Sequence, residues 1–215
     1  DVLGSRGLGD VYKRQVLKTP QLLLALLVTA LGYGGTFVAY TYLSPLLETK
    51  MGWSAQAVVV ILVVYGAMVA LGNTLGGRWA NAHPLPALLK MFVGLMVTLL
   101  VLTVTLHSQW LGLLTVLVMG FFAFMNVPGL QLYIVQVAEQ QTPQDITMAS
   151  ALNISAFNVG IALGSAIGGQ VTSQFGLAWT PLFGALMVGL SIVATMGLIR
   201  LARPARRLIN KFNHL

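Results

Sequence analysis

Long runs of apolar residues alternate with short polar segments along this chain. Six runs each hold about 20 or more predominantly apolar residues, the length that a helix needs to cross the hydrocarbon core of a bilayer. The segments between them carry turn-forming and polar residues, as at 81–84 and 107–109. The pattern therefore predicts six membrane-spanning helices, at 21–47, 55–77, 85–106, 111–138, 146–172 and 179–201.

Composition agrees with a protein that resides in a membrane. The chain is 57% hydrophobic and 8% charged, which is far from the balance of a soluble domain. It contains no cysteine, and this excludes a disulfide framework, a thiolate metal site and a cysteine nucleophile. We predict an all-α membrane protein.

Carboxylates and histidines are missing from the interior of every predicted span. Glu48 and Glu139 lie at span ends, Asp145 begins a helix, and the histidines at 83, 107 and 214 fall in loops or in the tail. A membrane-embedded protease or metalloenzyme needs a buried nucleophile and base, or metal ligands, within reach of one another. The sequence therefore predicts that this is not an enzyme and needs no metal or cofactor. It also offers no evident proton-coupling group of its own.

The net charge of +7 could suggest a nucleic-acid partner, but the distribution of the basic residues favours membrane topology. With six spans, both chain ends and the loops near Arg78 and Glu139 share one side, and Lys50 lies on the other. The crowded side holds Lys13, Arg14, Lys18, Arg78, Arg200, Arg203, Arg206, Arg207 and Lys211. By the positive-inside rule that side is cytoplasmic. We predict cytoplasmic termini and no nucleic-acid partner.

The chain divides into a membrane bundle and two flanking segments. Residues 1–15 end in SRGLGDVYKRQ, which resembles a translated sequencing adapter, and we interpret them as non-native; a genuine cytoplasmic loop is the alternative. Residues 16–202 form the predicted six-helix bundle, and residues 203–215 form a basic cytoplasmic tail.

Two stretches of the chain nearly repeat each other. Residues 65–78 read YGAMVALGNTLGGR, and residues 157–170, 92 positions later, read FNVGIALGSAIGGQ. The copies lie three spans apart, so the second crosses the bilayer in the opposite direction to the first. A three-plus-three inverted repeat is typical of transporters. The alternative is two unrelated glycine-rich helix ends that suit tight packing.

Aromatic and polar side chains on four spans are candidates for the wall of a solute cavity. On the first span, Tyr33, Phe37 and Tyr40 form one stripe at helical spacing, although a packing face or an interfacial aromatic belt would fit the same pattern. On the fourth span, residues 122, 126, 129 and 133 share a face beside Pro128, which favours a kink. The predicted cavity residues are Tyr33, Phe37, Tyr40, Tyr65, Asn126 and Asn158.

The fifth span carries two different faces. Gly160, Gly164 and Gly168 recur every four residues, which lets another helix approach closely. On the opposite face lies Asn158, a polar group that costs free energy inside a bilayer unless it meets a partner or water. We interpret Asn158 as the leading solute contact, with a hydrogen bond to another helix as the alternative. The third and sixth spans are almost purely aliphatic, and we expect them to face lipid.

Three motifs make the chain resemble a known family. Residues 149–169 read ASALNISAFNVGIALGSAIGG, residues 40–48 read YTYLSPLLE, and residues 72–81 read GNTLGGRWAN. Together they closely resemble the C-terminal half of major facilitator superfamily transporters, in the drug:proton antiporter group that includes arabinose-efflux and sugar-efflux permeases. The resemblance runs from Leu17 to about Leu201.

The resemblance implies a function and a larger assembly. It implies a twelve-helix transporter of two six-helix halves in the bacterial inner membrane, which exports small solutes by alternating access with protons as the driving ion. This chain would lack the N-terminal half. The family's cytoplasmic loop motif is matched by Gly76, Gly77 and Arg78, but Asn81 stands where an aspartate is usual. A charged cytoplasmic latch is therefore in doubt in this half.

A second hypothesis belongs to a different class of protein. The same six spans could form a free-standing membrane protein that acts as an oligomeric pore or as a scaffold for a partner. The reading frame upstream of Leu17 discriminates, because six further spans there favour the half-transporter.

Overall fold

The computed structural model describes residues 19–212, with side chains described for residues 19–202. The segment 1–15 lies outside the described residues, as do the side chains of the tail 203–215. Seven helices longer than one turn are described: α1 Pro20–Tyr40, α2 Ala55–Ala82, α3 Pro84–Thr105, α4 Gln109–Ala123, α5 Val127–Gln141, α6 Ile146–Gln174 and α7 Thr180–Phe212. Short helical turns occupy Leu43–Pro45, Leu46–Lys50, Pro143–Asp145 and Leu177–Trp179.

The described helices make six segments that are long and apolar enough to cross a membrane. The helices α4 and α5 together form the fourth of these, over Gln109–Gln141. We refer to α1, α2, α3, α4 with α5, α6 and α7 as the first to sixth spans. The sequence prediction of six spanning helices is confirmed.

Three helix ends differ from the prediction by five residues or more, and one of them is the end of α7, which runs to Phe212 and not to residue 201. Regular helix in the first span stops at Tyr40 and not at residue 47, and a π-helical turn follows at Leu46–Lys50. Pro45 has no backbone N–H to continue the ladder, so the chain turns before it. The second span extends to Ala82, beyond the predicted end at residue 77. It ends where His83 precedes Pro84, because the residue before a proline disfavours helical geometry.

The fourth span is broken near its middle. Helix α4 ends at Ala123 and α5 begins at Val127, with Pro128 in the first turn of α5. Over the break, backbone hydrogen bonds run from residue i to residue i−3 and not to i−4. An example is the bond from the Met125 N–H to the Phe122 carbonyl at 3.4 Å. The helix interruption that Pro128 predicts is therefore present, directly before the turn that holds the proline.

Helix packing follows the internal repeat. The first span packs most extensively against the fifth and sixth spans, and the fourth packs most extensively against the second and third. Exchanging spans one to three with spans four to six converts one set of neighbours into the other. This is the arrangement expected of two three-helix units related by an inverted repeat.

Individual contacts obey the same relation. Gly72 lies against the Phe121 carbonyl and Gly76 against the Met125 carbonyl, so the second span meets the fourth. The same contacts recur between the fifth and first spans. Each glycine there lies 92 positions later in the sequence than its counterpart, and each carbonyl residue lies 87 positions earlier. The recurring pairs are Gly164 with the Gly34 carbonyl and Gly168 with the Val38 carbonyl. The repeat seen in the sequence is thus a repeat of three-dimensional packing.

The third and sixth spans each bury one face in the bundle, and the prediction that they face lipid stays a prediction for the remaining surface, which is more than half of each apolar window. Aliphatic side chains of the third span are fully buried in the core, among them Leu95, Leu99 and Leu102. A run that is apolar all round packs as readily on other helices as on lipid, so hydropathy alone could not assign it.

The second and fifth spans are the ones left uncovered. Only 22% and 17% of their apolar windows are buried, against 39% or more in the other four spans. These two spans are also the repeat-related pair. They therefore place two equivalent open faces on the bundle.

Candidate solute cavity

Six aromatic rings from four spans meet in one place, which we call the aromatic cluster. Tyr33 and Phe37 lie with ring centroids 5.1 Å apart, and Phe37 and Tyr40 lie 5.3 Å apart. Ring contacts at 4.5–7 Å are favourable in tilted and edge-to-face geometry. The members of the aromatic cluster are Tyr33, Phe37, Tyr40, Tyr65, Phe124 and Phe157.

The predicted stripe on the first span is the centre of the aromatic cluster. Tyr40 stacks on Tyr65 of the second span at 5.6 Å with planes 21° apart. Tyr33 meets Phe157 of the fifth span edge-on at 4.8 Å. The structure therefore brings together four of the six residues that the sequence predicted for a cavity.

Phe124 and Phe157 were missed as site residues. Phe124 lies in the break of the fourth span and contacts Tyr33 at 5.5 Å and Tyr40 at 5.9 Å. The sequence pattern pointed to residue 122 instead, whose ring lies against Gly94 of the third span. A signal for Phe157 was available, because it occupies the repeat position equivalent to Tyr65, 92 residues earlier.

The aromatic cluster is a surface and not a sealed core. Tyr33, Phe37, Tyr40, Phe124 and Phe157 are each partly exposed, whereas Tyr65 is buried. Among the described residues, the Tyr65 hydroxyl is buried without a hydrogen-bond partner. A partly exposed set of rings with hydroxyl groups can contact a solute through both apolar faces and hydrogen bonds.

Asn158 lies on the exposed side of the fifth span, apart from the buried glycine face. Ser165 follows it by seven residues, which is about two helical turns on the same side of the helix. The Ser165 hydroxyl lies 2.8 Å from the hydroxyl of Thr41, at the end of the first span. A polar strip of Asn158 and Ser165 thus runs along the fifth span, and it meets the first span at Thr41.

Asn126, another predicted cavity residue, is completely buried inside these six helices. Its Nδ2 donates to the Ala123 carbonyl at 3.4 Å, and its Oδ1 has no partner in the described part of the chain. The side chain fills the break in the fourth span and does not reach the surface of the described bundle.

The predicted packing glycines lie where backbones approach each other. A methyl group on Gly160 would stand 2.6 Å from the Ala30 carbonyl, and one on Gly168 would stand 2.6 Å from the Val38 carbonyl. Gly164 lies between them against Gly34. The fifth span can therefore touch the first span only because these positions carry no side chain.

The motif predicted as a cytoplasmic loop lies on a helix instead. Gly76, Gly77, Arg78 and Asn81 all belong to the last turns of α2, which runs to Ala82. The helix persists through two glycines because Gly76 packs against the Met125 carbonyl and is held there. Arg78 and Asn81 are exposed at this end of the span.

Comparison with known protein families matches residues 4–142 to the Major Facilitator Superfamily. The chain belongs to this superfamily. Members are transporters and not enzymes, and the chain is a multi-pass membrane protein.

Named relatives are about twice as long as this chain. It is 50% identical over 181 residues to the uncharacterized MFS-type transporter YtbD of Bacillus subtilis, covering 84% of this chain and 46% of the relative. It is 36% identical over 193 residues to the inner membrane transport protein YdhP of Escherichia coli, covering 88% and 49%. A probable sugar efflux transporter of Pasteurella multocida is 27% identical over 192 residues, covering 89% and 46%. The chain therefore spans about half the length of these relatives.

Proposed function

We propose that this chain is the C-terminal half of a secondary active exporter in the bacterial inner membrane. Six further helices would form the N-terminal half and complete the cavity. The chain's similarity to a sugar efflux transporter and to an inner membrane transport protein supports this class and location. The open faces of the second and fifth spans support an absent partner bundle, because no other pair of spans is so little covered.

The aromatic cluster carries the proposal. Its rings come from the first, second, fourth and fifth spans and form a partly exposed wall beside the polar strip of Asn158. Solute would bind between this wall and the missing half, with Tyr33, Phe37, Tyr40, Tyr65 and Asn158 in contact. Asn126 would not contact solute itself. It would stabilise the break in the fourth span, which places Phe124 in the aromatic cluster.

The coupling ion in this proposal is the proton, and both termini lie in the cytoplasm. Among the described spans, the one Asp or Glu is Glu139, which is exposed in the last turn of α5 at the end of the fourth span, so the titrating group would belong to the other half. The solutes that suit rings, hydroxyls and one amide are neutral or amphipathic small molecules, such as sugars, nucleosides and drugs.

Asn158→Ala in the complete transporter tests the role of the polar strip. We expect export to fall by roughly fivefold or more, because a hydrogen bond to solute is lost without a change in helix packing. Efflux of radiolabelled arabinose, radiolabelled uridine and ethidium from loaded cells measures it, with membrane abundance followed by immunoblot. Val159→Ala, the next exposed position, is the matched control. Unchanged efflux of every probe that the parent exports would remove Asn158 from the solute site.

A further inference from the structure

A groove of about 340 Å³ runs along the bundle between the fifth and sixth spans, and we call it the inter-span groove. Its volume exceeds the roughly 300 Å³ at which ligand sites begin, and it is about ten times the volume that one water takes in the liquid. Phe175, directly after α6, stacks on Phe183 of the sixth span at 5.6 Å. The apolar walls of the groove are Ala166, Ile167, Val171, Phe175 and Phe183.

The inter-span groove reaches from one end of the fifth span into the bilayer. From Gln174, the last residue of α6, back to Ala166 the helix rises by about 12 Å. The hydrocarbon core of one leaflet is about 15 Å deep, half of the whole core. The charge pattern predicts that this end of the span is extracellular. The groove therefore extends through most of the predicted outer leaflet.

The inter-span groove and the polar strip lie on different sides of the fifth span. Ile167 follows Asn158 by nine residues, which is about 180° around the helix at roughly 100° per residue. Among the described residues, the lining of the groove and the aromatic cluster have no member in common. Ala166 and Ile167 are exposed, so the groove is open at the outside of the bundle. A ligand there would come from the surrounding membrane and not from the solute cavity.

Loose packing of the two spans explains why a ligand is needed. The fifth and sixth spans pack on each other much less extensively than each packs on the first span. A gap between two helices forfeits dispersion contacts along its walls unless another molecule fills it. At this depth in a bilayer the molecules that lie beside a helix are the acyl chains of phospholipids.

Two glutamines line the inter-span groove at its extracellular end. Gln170 and Gln174 lie one helical turn apart, and Gln174 Nε2 donates to Gln170 Oε1 at 3.4 Å. Both side chains are exposed. That bond uses one end of each amide, and an amide nitrogen carries two donor hydrogens. The pair can therefore also donate to the ester oxygens of a lipid whose chain lies in the groove.

A basic residue lies on a turn that adjoins the same end. The turn Leu177–Trp179, which follows the groove in the chain, contacts the turn Leu46–Lys50. Lys50 is exposed, and it is the one basic residue that the sequence predicts on the extracellular side. Glu48, on the same turn, accepts a hydrogen bond from the Ser44 hydroxyl at 3.2 Å. An ammonium group binds phosphate oxygens by charge-assisted hydrogen bonds.

We propose that the inter-span groove binds one acyl chain of an outer-leaflet phospholipid, with the ester group at Gln170 and Gln174 and the phosphate at Lys50. The bound lipid would fill the gap between the fifth and sixth spans and hold their extracellular ends together. The proposal uses the predicted topology and does not depend on which solute the cavity accepts.

Photo-cross-linking in the complete transporter tests the site without any transport. The probe is phosphatidylglycerol with a diazirine near the middle of one acyl chain, diluted into phosphatidylcholine nanodiscs. Mass spectrometry measures the cross-links at each peptide. We expect labelling over residues 166–175 to exceed labelling at Val104 and Leu114 by about fivefold or more, because a concave site retains a chain longer than a convex helix face does. Both comparison residues are exposed, on the third and fourth spans.

Ala166→Trp provides the matched loss of the site. The indole ring would fill the groove, and we expect labelling over residues 166–175 to fall by about fivefold, since the burial of several methylene groups is lost. Leu114→Trp places the same ring at an exposed position of the fourth span and should leave that labelling at the parental level.

Three results would overturn the lipid site. One is even labelling of all exposed positions in the parent, which decides the question even where Ala166→Trp lowers the yield of protein. Another is unchanged labelling in Ala166→Trp. The third is the absence of labelling over residues 166–175 in the complete transporter, because the N-terminal half would then cover the groove.

Lys50→Gln tests recognition of the phosphate. We expect labelling by the phosphatidylglycerol probe to fall by about threefold, since a basic residue at the membrane surface contributes about 1 kcal/mol. Labelling by a diacylglycerol that carries the same diazirine chain and no phosphate should not change. Lys90→Gln, which removes an exposed charge at the predicted cytoplasmic end of the third span, is the control. An equal effect of Lys50→Gln on both probes, or no effect on either, would overturn a phospholipid as the occupant.

Discussion

Replacing Gly164 with leucine is expected to reduce folded chain in the membrane by roughly tenfold, since overpacked sites lose about 1–3 kcal/mol or more. A side chain at this position would overlap the Gly34 carbonyl oxygen of the first span. The obstruction is backbone and cannot rotate away. The first span has little room to retreat either, because on its side toward the sixth span a methyl group on Gly35 would stand 2.9 Å from the Gly184 carbonyl. Fluorescence-detected size exclusion of a tagged chain measures the yield of monodisperse protein.

Gly66→Leu is the control for that substitution. It makes the same change in another membrane span, at a glycine with no atom within 4 Å of the space its side chain would enter. The control should retain parental yield. Equal yields for Gly164→Leu and Gly66→Leu would show that the contact between the first and fifth spans does not hold the bundle together.

Replacing Phe124 with alanine is expected to lower efflux of the exported probe by about tenfold or more, because preorganised solute contacts and the ring at the break are lost together. Phe124 contacts the rings of Tyr33, Phe37 and Tyr40, so its removal would leave all three rings less constrained. Initial rates of arabinose, uridine and ethidium efflux in the complete transporter measure the effect.

Phe175→Ala serves as the comparison for Phe124→Ala. Phe175 is exposed and stacks on Phe183 at 5.6 Å near the far end of the fifth span, outside the aromatic cluster. It should leave efflux near the parental rate. Loss of efflux in Phe175→Ala with retention in Phe124→Ala would place the solute path away from the rings.

Hydropathy and the repeat were sufficient to predict most of the fold. Long apolar runs locate spans because a bilayer demands a minimum helix length. The repeat did more, since it related Gly72 to Gly164 and Gly76 to Gly168 before any contact was known. In the structure each related pair meets a backbone carbonyl of an equivalent span.

The site was only partly predictable because helical spacing describes one helix at a time. It grouped Tyr33, Phe37 and Tyr40, which share a helix, and could not foresee Phe124, which the break in the fourth span turns toward them. It singled out Asn158 and assigned no role to Asn153, because both are polar residues in an apolar run and helical spacing does not show which of them is enclosed. Only the packing of three spans shows that Asn153 is enclosed and bonded at both ends of its amide.

Water access at Asn158 in the complete transporter tests most directly whether this chain forms half of a wet solute cavity. A single cysteine at Asn158, in a background without other cysteines, would be exposed to a membrane-impermeant maleimide and to a lipid-soluble one. We predict rapid reaction with the impermeant reagent and protection by the exported solute, while a cysteine at Val159, about 100° further around the helix, reacts only with the lipid-soluble reagent. Reaction of the cysteine at position 158 with the lipid-soluble reagent alone, unaffected by solute, would contradict the account.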